Sequence, residues 1–179
     1  VSAVNQFGIA NAAVVTQVGL ANDSAVLQIG LANLAIVDQD GRHNEADVNQ
    51  GGALNFAKVD QRNRRNDAYI GQLGIGNAAF IYQDGRRNDA VIGQAGFLNY
   101  ARTTQIGRDN SATNFQLGIG NSSNTMQEGH DNNSLGLQVG IGNSANVDQF
   151  GEYNNAFTIQ FGTDNTSYIN QFGTANMAW

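Results

Sequence analysis

The side chains whose type and spacing could do chemistry in this chain are primary amides. All sixteen glutamines share one register, eleven residues apart: Gln6, Gln17, Gln28, Gln39, Gln50, Gln61, Gln72, Gln83, Gln94, Gln105, Gln116, Gln127, Gln138, Gln149, Gln160 and Gln171. An asparagine follows each by five positions: Asn11, Asn22, Asn33, Asn44, Asn55, Asn66, Asn77, Asn88, Asn99, Asn110, Asn121, Asn132, Asn143, Asn154, Asn165 and Asn176. A carboxamide donates and accepts hydrogen bonds at once. A row of identical amides can therefore form a ladder in which each donates to the next and accepts from the last, the chemistry of cross-β stacks. The residues that carry catalysis make no such constellation. Cysteine is absent, which removes thiol nucleophiles and thiolate metal sites. His43 and His130 fall in the turns of the repeat without a paired serine or carboxylate cluster. Asp38 and Asp60 would stack in neighbouring units, but Tyr82 and Thr104 interrupt that row. The nine-residue Gly–Asp pattern of calcium-binding β-rolls is also missing. No enzyme, cofactor or metal is expected.

Period two within the repeat identifies the element that must position the amides. The eleven-residue unit reads x-Ala-x-Val-x-Gln-x-Gly-x-x-Asn. Its second position is Ala or Ser throughout, and its fourth is Val, Ile or Thr except at Asn114 and Gly136. Its eighth is Gly except at Asn63. The constrained positions (the preceding Asn, then two, four and six) alternate, as residues on one face of a strand do. Positions one, three, five and seven vary, as an outward face would. A right-handed coiled coil also has an eleven-residue period, but Gly, Asn and a β-branched residue in every unit argue against helix. Position eight calls for unusual dihedrals or close backbone approach, since Asn is the residue that best replaces Gly there. The x-Gly-x-x-Asn segment is read as the turn, which places the first strand at residues 1–6 and the last at 166–171.

Turns alternate in character. One set is apolar, as in Phe7-Gly8-Ile9 and Leu117-Gly118-Ile119; the other is often charged, as in Asp40-Gly41-Arg42 and Asp84-Gly85-Arg86. The structural period is therefore 22 residues. The predicted fold is all-β: a two-sheet parallel β-solenoid with two strands per coil and about eight coils. Eight coils rising roughly 4.8 Å each span on the order of 38 Å. A single domain over residues 1–179 is expected, with no linker or targeting segment. Ala and Val bury little apolar area, so the amide ladders must add to the cohesion.

Net charge is −6, which disfavours nucleic acid as a partner. No apolar run approaches a membrane span, and no membrane insertion is expected. All nine Lys and Arg lie between Arg42 and Arg108. Two readings of this stand open: a solvated face that limits clumping, or a basic column of Arg42, Arg64, Arg86 and Arg108 that grips an acidic partner. Proline, a common guard against edge pairing, is absent. Residues 1–22 carry no charged side chain and neither do residues 165–179, so no polar capping repeat is read at either end. The expectation is end-to-end polymerisation of the chain with itself, with residues 177–179 beginning a seventeenth strand.

These motifs resemble curlin repeats, whose pattern is Ser/Asn-x5-Gln-x-Gly-x2-Asn-x-Ala-x3-Gln. Residues 66–83, NDAYIGQLGIGNAAFIYQ, match it throughout, and the register extends over essentially the whole chain. The resemblance implies a bacterial functional amyloid: an extracellular, cell-surface curli fibre of the biofilm matrix, most like the major subunit. It further implies two partners, a nucleator subunit and an outer-membrane secretion channel. The chain departs from the family in its greater number of repeats and in beginning directly in the repeat. The alternative from another class is a soluble β-solenoid that binds ice, a surface or a polysaccharide through its outward faces. A regular outward Thr ladder would mark ice binding, and Lys58, Asp60, Phe80, Tyr82, Arg102 and Thr104 do not make one.

Overall fold

The structure, a computed structural model, describes residues 1–179. One sheet comprises the odd-numbered strands: β1 (Ser2–Ile9), β3 (Asp23–Leu31), β5 (Glu45–Ala53), β7 (Asp67–Ile75), β9 (Asp89–Phe97), β11 (Ser111–Ile119), β13 (Asn133–Ile141), β15 (Asn155–Thr163) and the short β17 (Met177–Ala178). The other comprises β2 (Ala12–Leu20), β4 (Leu34–Arg42), β6 (Phe56–Arg64), β8 (Ala78–Arg86), β10 (Tyr100–Arg108), β12 (Ser122–His130), β14 (Ser144–Glu152) and β16 (Thr166–Thr174). Every pairing is parallel and joins residues 22 apart, so Gln28 lies between Gln6 and Gln50. This is the β-solenoid that the repeat predicts.

Its strands are longer than the sequence suggests. The ladder continues through Gly8 and Ile9, which pair with Gly30 and Leu31. Only positions ten and eleven lie outside the strands, and even there coils stay bonded. Ala32 N–H donates to the Ile9 carbonyl (2.9 Å), and Ala12 N–H to the Asn33 carbonyl (2.8 Å). The eighth-position glycine is therefore a strand residue that lets two backbones meet. A Cβ on Gly85, at φ +137°, would stand 1.8 Å from the Gly107 carbonyl oxygen. Asn63 substitutes there with φ 72°. The sharp corner falls at position ten, where Leu54, Arg65, Leu98 and Tyr153 all adopt φ near 57°.

Positions two, four and six point inward and are buried along the interior strands. The apolar core runs from Val26 to Ala101 through Ala35, Val48, Ile70 and Ile92. It resumes at Val147, Ala156 and Ile169. Between these blocks the interior is mainly polar, with Thr103, Asn114, Ser123, Thr125 and Ser134 buried beside Ala112 and Ala145. Two sheets of small and β-branched residues thus hold the amides at a fixed spacing.

Candidate functional site: amide columns and a basic corner

The glutamines form two columns, one per sheet. In every neighbouring pair, Nε2 of one Gln donates to Oε1 of the Gln 22 residues later, at 2.6–2.9 Å. All these bonds point the same way along the axis. The second Nε2 proton crosses to the facing sheet: Gln28 donates to the Ala12 carbonyl (2.9 Å) and Gln83 to that of Asp67 (2.7 Å). Gln83 also donates to the Asn88 carbonyl at 3.0 Å. Each interior Gln therefore ties its coil to the next and one sheet to the other. Most are sealed from solvent, so an unmade bond would leave a buried amide without a partner.

The asparagine columns are not simple amide ladders. Their unbroken link is from a backbone N–H to a side chain. Asn55 N–H donates to Asn33 Oδ1 (3.1 Å), and the equivalent bond recurs between every pair of neighbours in both columns. Nδ2 reaches forward to the next coil's eighth-position carbonyl, as Asn55 does to Gly74 (3.1 Å). Side-chain amides also pair directly along the column from Asn11 to Asn165. In the other column they pair only from Asn88 onward to Asn176. The short side chain explains this. Its oxygen is held by a neighbour's backbone, and beside Arg62 and Asn63 its nitrogen is turned to carbonyls, as Asn66 Nδ2 is to Arg62 (2.6 Å).

The structure places Arg42, Arg64, Arg86 and Arg108 as successive partners in one sheet, with Leu20 before them and His130 after. His130 Nε2 lies 2.7 Å from Glu152. On the face of the same sheet, Arg62 meets Asp60 at 3.3 Å and sits over the Tyr82 ring. The hydrogen bond to Asp60 and then its charge hold the Arg62 guanidinium above its usual range. The Tyr82 hydroxyl is pushed up by burial and then by Asp84. Phe56, Phe80 and Tyr100 form a short aromatic stack there, with ring centroids 5.3 and 5.6 Å apart.

A second charged column was not singled out from the sequence: Asp23, Glu45, Asp67 and Asp89 stand in register. The signal was available, because first-position residues 22 apart must become neighbours once the coil period is known. Partial burial, then repulsion from Glu45 and Asp89, raise the Asp67 carboxyl above its usual range. Burial alone does so for Asp89.

Parallel in-register strands, coils of one length and unbroken amide columns define a structural repeat protein of the cross-β type. Within that class, a family profile described as the curlin associated repeat matches residues 21–52, 52–85, 85–118 and 142–173. The chain belongs to the curlin-repeat family. The one gap between matches, 119–141, contains the buried Ser123, Thr125 and Ser134 of the polar interior. Comparison with individually curated proteins gives no match.

Proposed function

We propose that this chain is a curli-type fibre subunit that self-assembles coil upon coil into an extracellular amyloid of the biofilm matrix. One observation carries the reading: the two edges of any coil are chemically complementary. One edge offers Gln Nε2 donors and the other Gln Oε1 acceptors, all oriented alike. Backbone amides and carbonyls alternate along the same edges. A coil of a second copy can therefore satisfy whatever a coil of the same copy satisfies, which is the condition for a growing stack. Family membership supports cell-surface fibres, a nucleating partner and export through an outer-membrane channel. The amide columns are then the assembly site, and residues 1–179 act as one amyloid core.

Electron microscopy of the purified chain, freshly stripped of denaturant and incubated at micromolar concentration, tests this. Long unbranched fibrils are expected. A β-rich monomer that stays dispersed would overturn the reading.

A further inference from the structure

The charged corner has a property that fibre assembly does not use. Arg42, Arg64, Arg86 and Arg108 stand one above another, and like charges directly opposite in a sheet repel. No carboxylate lies within 4.0 Å of any of the four; the ion pairs of the basic residues are instead Arg62–Asp60 and Arg87–Asp109. Asp84, next to the row, is engaged by Asn63 Nδ2 (2.5 Å) and the Tyr82 hydroxyl (3.4 Å). Along the arginines runs an open trench of about 630 Å³, bordered by Arg64, Arg86, Arg108 and His130. Its floor includes Gly85, Gly107 and Gly129. These glycines have φ between +118° and +137°, and a Cβ on any of them would strike the backbone of the next coil. The backbone geometry that joins the coils thus keeps the trench free of side chains.

We propose that this trench binds a linear acidic polysaccharide carrying one carboxylate per sugar, laid parallel to the solenoid axis. The guanidinium groups repeat once per coil, roughly every 4.8 Å; a flat two-fold hexuronan chain turns alternate carboxylates to one side, so one carboxylate meets the row about every second coil. Guanidinium meets carboxylate in a two-pronged, charge-assisted hydrogen bond that an isolated ammonium cannot copy. Duplex nucleic acid is the poorer fit. Its phosphates wind around an axis, so a straight row touches few of them, and a backbone-reading protein depends on many such contacts. The acidic column lies across the corner, with Asp67 and Asp89 three residues beyond Arg64 and Arg86. It repels a polyanion that strays from the arginine line. The site lies in interior coils and needs no fibre.

The test is fluorescence anisotropy of labelled polygalacturonate titrated with the chain. R64Q/R86Q/R108Q should weaken binding at least about tenfold, as loss of three charge-assisted contacts would. K58Q/R62Q/R102Q, with the same change in net charge, should weaken it less than about twofold. Full methyl esterification of the probe should abolish binding. R86Q alone, with an unchanged circular dichroism spectrum, should weaken it about threefold. Equal losses in the two triple variants, no loss in R86Q, retained binding of the methyl ester, or equally tight binding of duplex DNA would each overturn the proposal.

Discussion

Gly136 lies directly beside Asn114 in the same sheet, and the two are steric complements: a Cβ on residue 136 would stand 2.6 Å from Asn114 Oδ1. They are the two departures from the β-branched fourth position of the repeat. Asn114 Nδ2 donates to Thr103 Oγ1 (3.0 Å) and Thr125 Oγ1 (3.2 Å), and Ser123 Oγ donates to Asn114 Oδ1 (2.9 Å). Those three partners belong to β10 and β12, across the core from β11. Asn114 therefore joins the sheets where apolar packing is interrupted, and Gly136 makes the room. Gly136→Val alone should destabilise by about 2–3 kcal/mol through overpacking. Asn114→Val alone should cost about 1–3 kcal/mol by stranding the hydroxyls. The double variant restores a β-branched pair and should be more stable than the sum of the two by about 1 kcal/mol or more. Urea midpoints of the four proteins measure the coupling; strict additivity would dismiss it.

The glutamine columns make a sharper demand. Gln83→Leu leaves one Gln61 Nε2 proton without its acceptor, the other still reaching the Glu45 carbonyl, and leaves Gln105 Oε1 without its donor, deep in the stack. It also removes the donor to the Asp67 and Asn88 carbonyls. The expected cost is about 3 kcal/mol or more, against about 1 kcal/mol or less for Tyr82→Leu on the outer face. Assembly followed by an amyloid dye should show a longer lag for the Gln83 variant. Equal lags would remove the columns from the assembly mechanism.

What the sequence made legible is what repeats. Period two gave the strands and period 22 the coil, because in a parallel stack every column is written in the residues 22 apart. The corner was hidden for the opposite reason. Leu54, Arg65, Leu98 and Tyr153 hold a left-handed conformation that none of them favours. That demand comes from closing the coil, so no residue preference records it. Gly8 and its equivalents suggested a turn, but they lie within the ladder and answer to the backbone one coil away. Asn114 and Gly136 were visible as exceptions; their complementarity needed the 22-residue register and the geometry of the facing sheet.

Two glycines separate close approach from conformational freedom. Gly85→Ala would place a Cβ 1.8 Å from the Gly107 carbonyl oxygen at φ +137°. The loss should be at least about 3 kcal/mol, because that region is essentially closed to other residues and the obstacle is backbone. Gly120 has φ +63°, and a Cβ added there would have nothing within 4 Å. Its position is filled elsewhere by Ala, Leu, Arg or Tyr. Gly120→Ala should cost only about 1 kcal/mol. Denaturant midpoints and fibril yield distinguish them, and a comparable loss for both would show that φ alone, and not contact between coils, sets the requirement at position eight.

The acidic column gives the solenoid a pH dependence of definite sign. Asp67 is flanked in register by Glu45 and Asp89. Its carboxyl titrates above the ordinary value of 3.8, first through partial desolvation and then through the two neighbouring charges, against a smaller opposing effect of the Ala68 N–H. The folded state thus holds this proton more tightly than the unfolded chain does. A group of this kind destabilises the fold above its raised value, and the penalty is relieved as pH falls through that value toward the unfolded one. Asp89 shifts in the same direction, so the two contributions add. The urea midpoint should therefore rise as pH is lowered from 7 toward the upper end of the carboxylate range. Asp67→Asn removes the central charge and keeps the shape. It should raise the midpoint at pH 7 and flatten the profile between pH 7 and 4, because Glu45 and Asp89 are then two coils apart and repel less. A variant whose profile runs parallel to that of the unaltered chain would show that the column is fully screened by solvent.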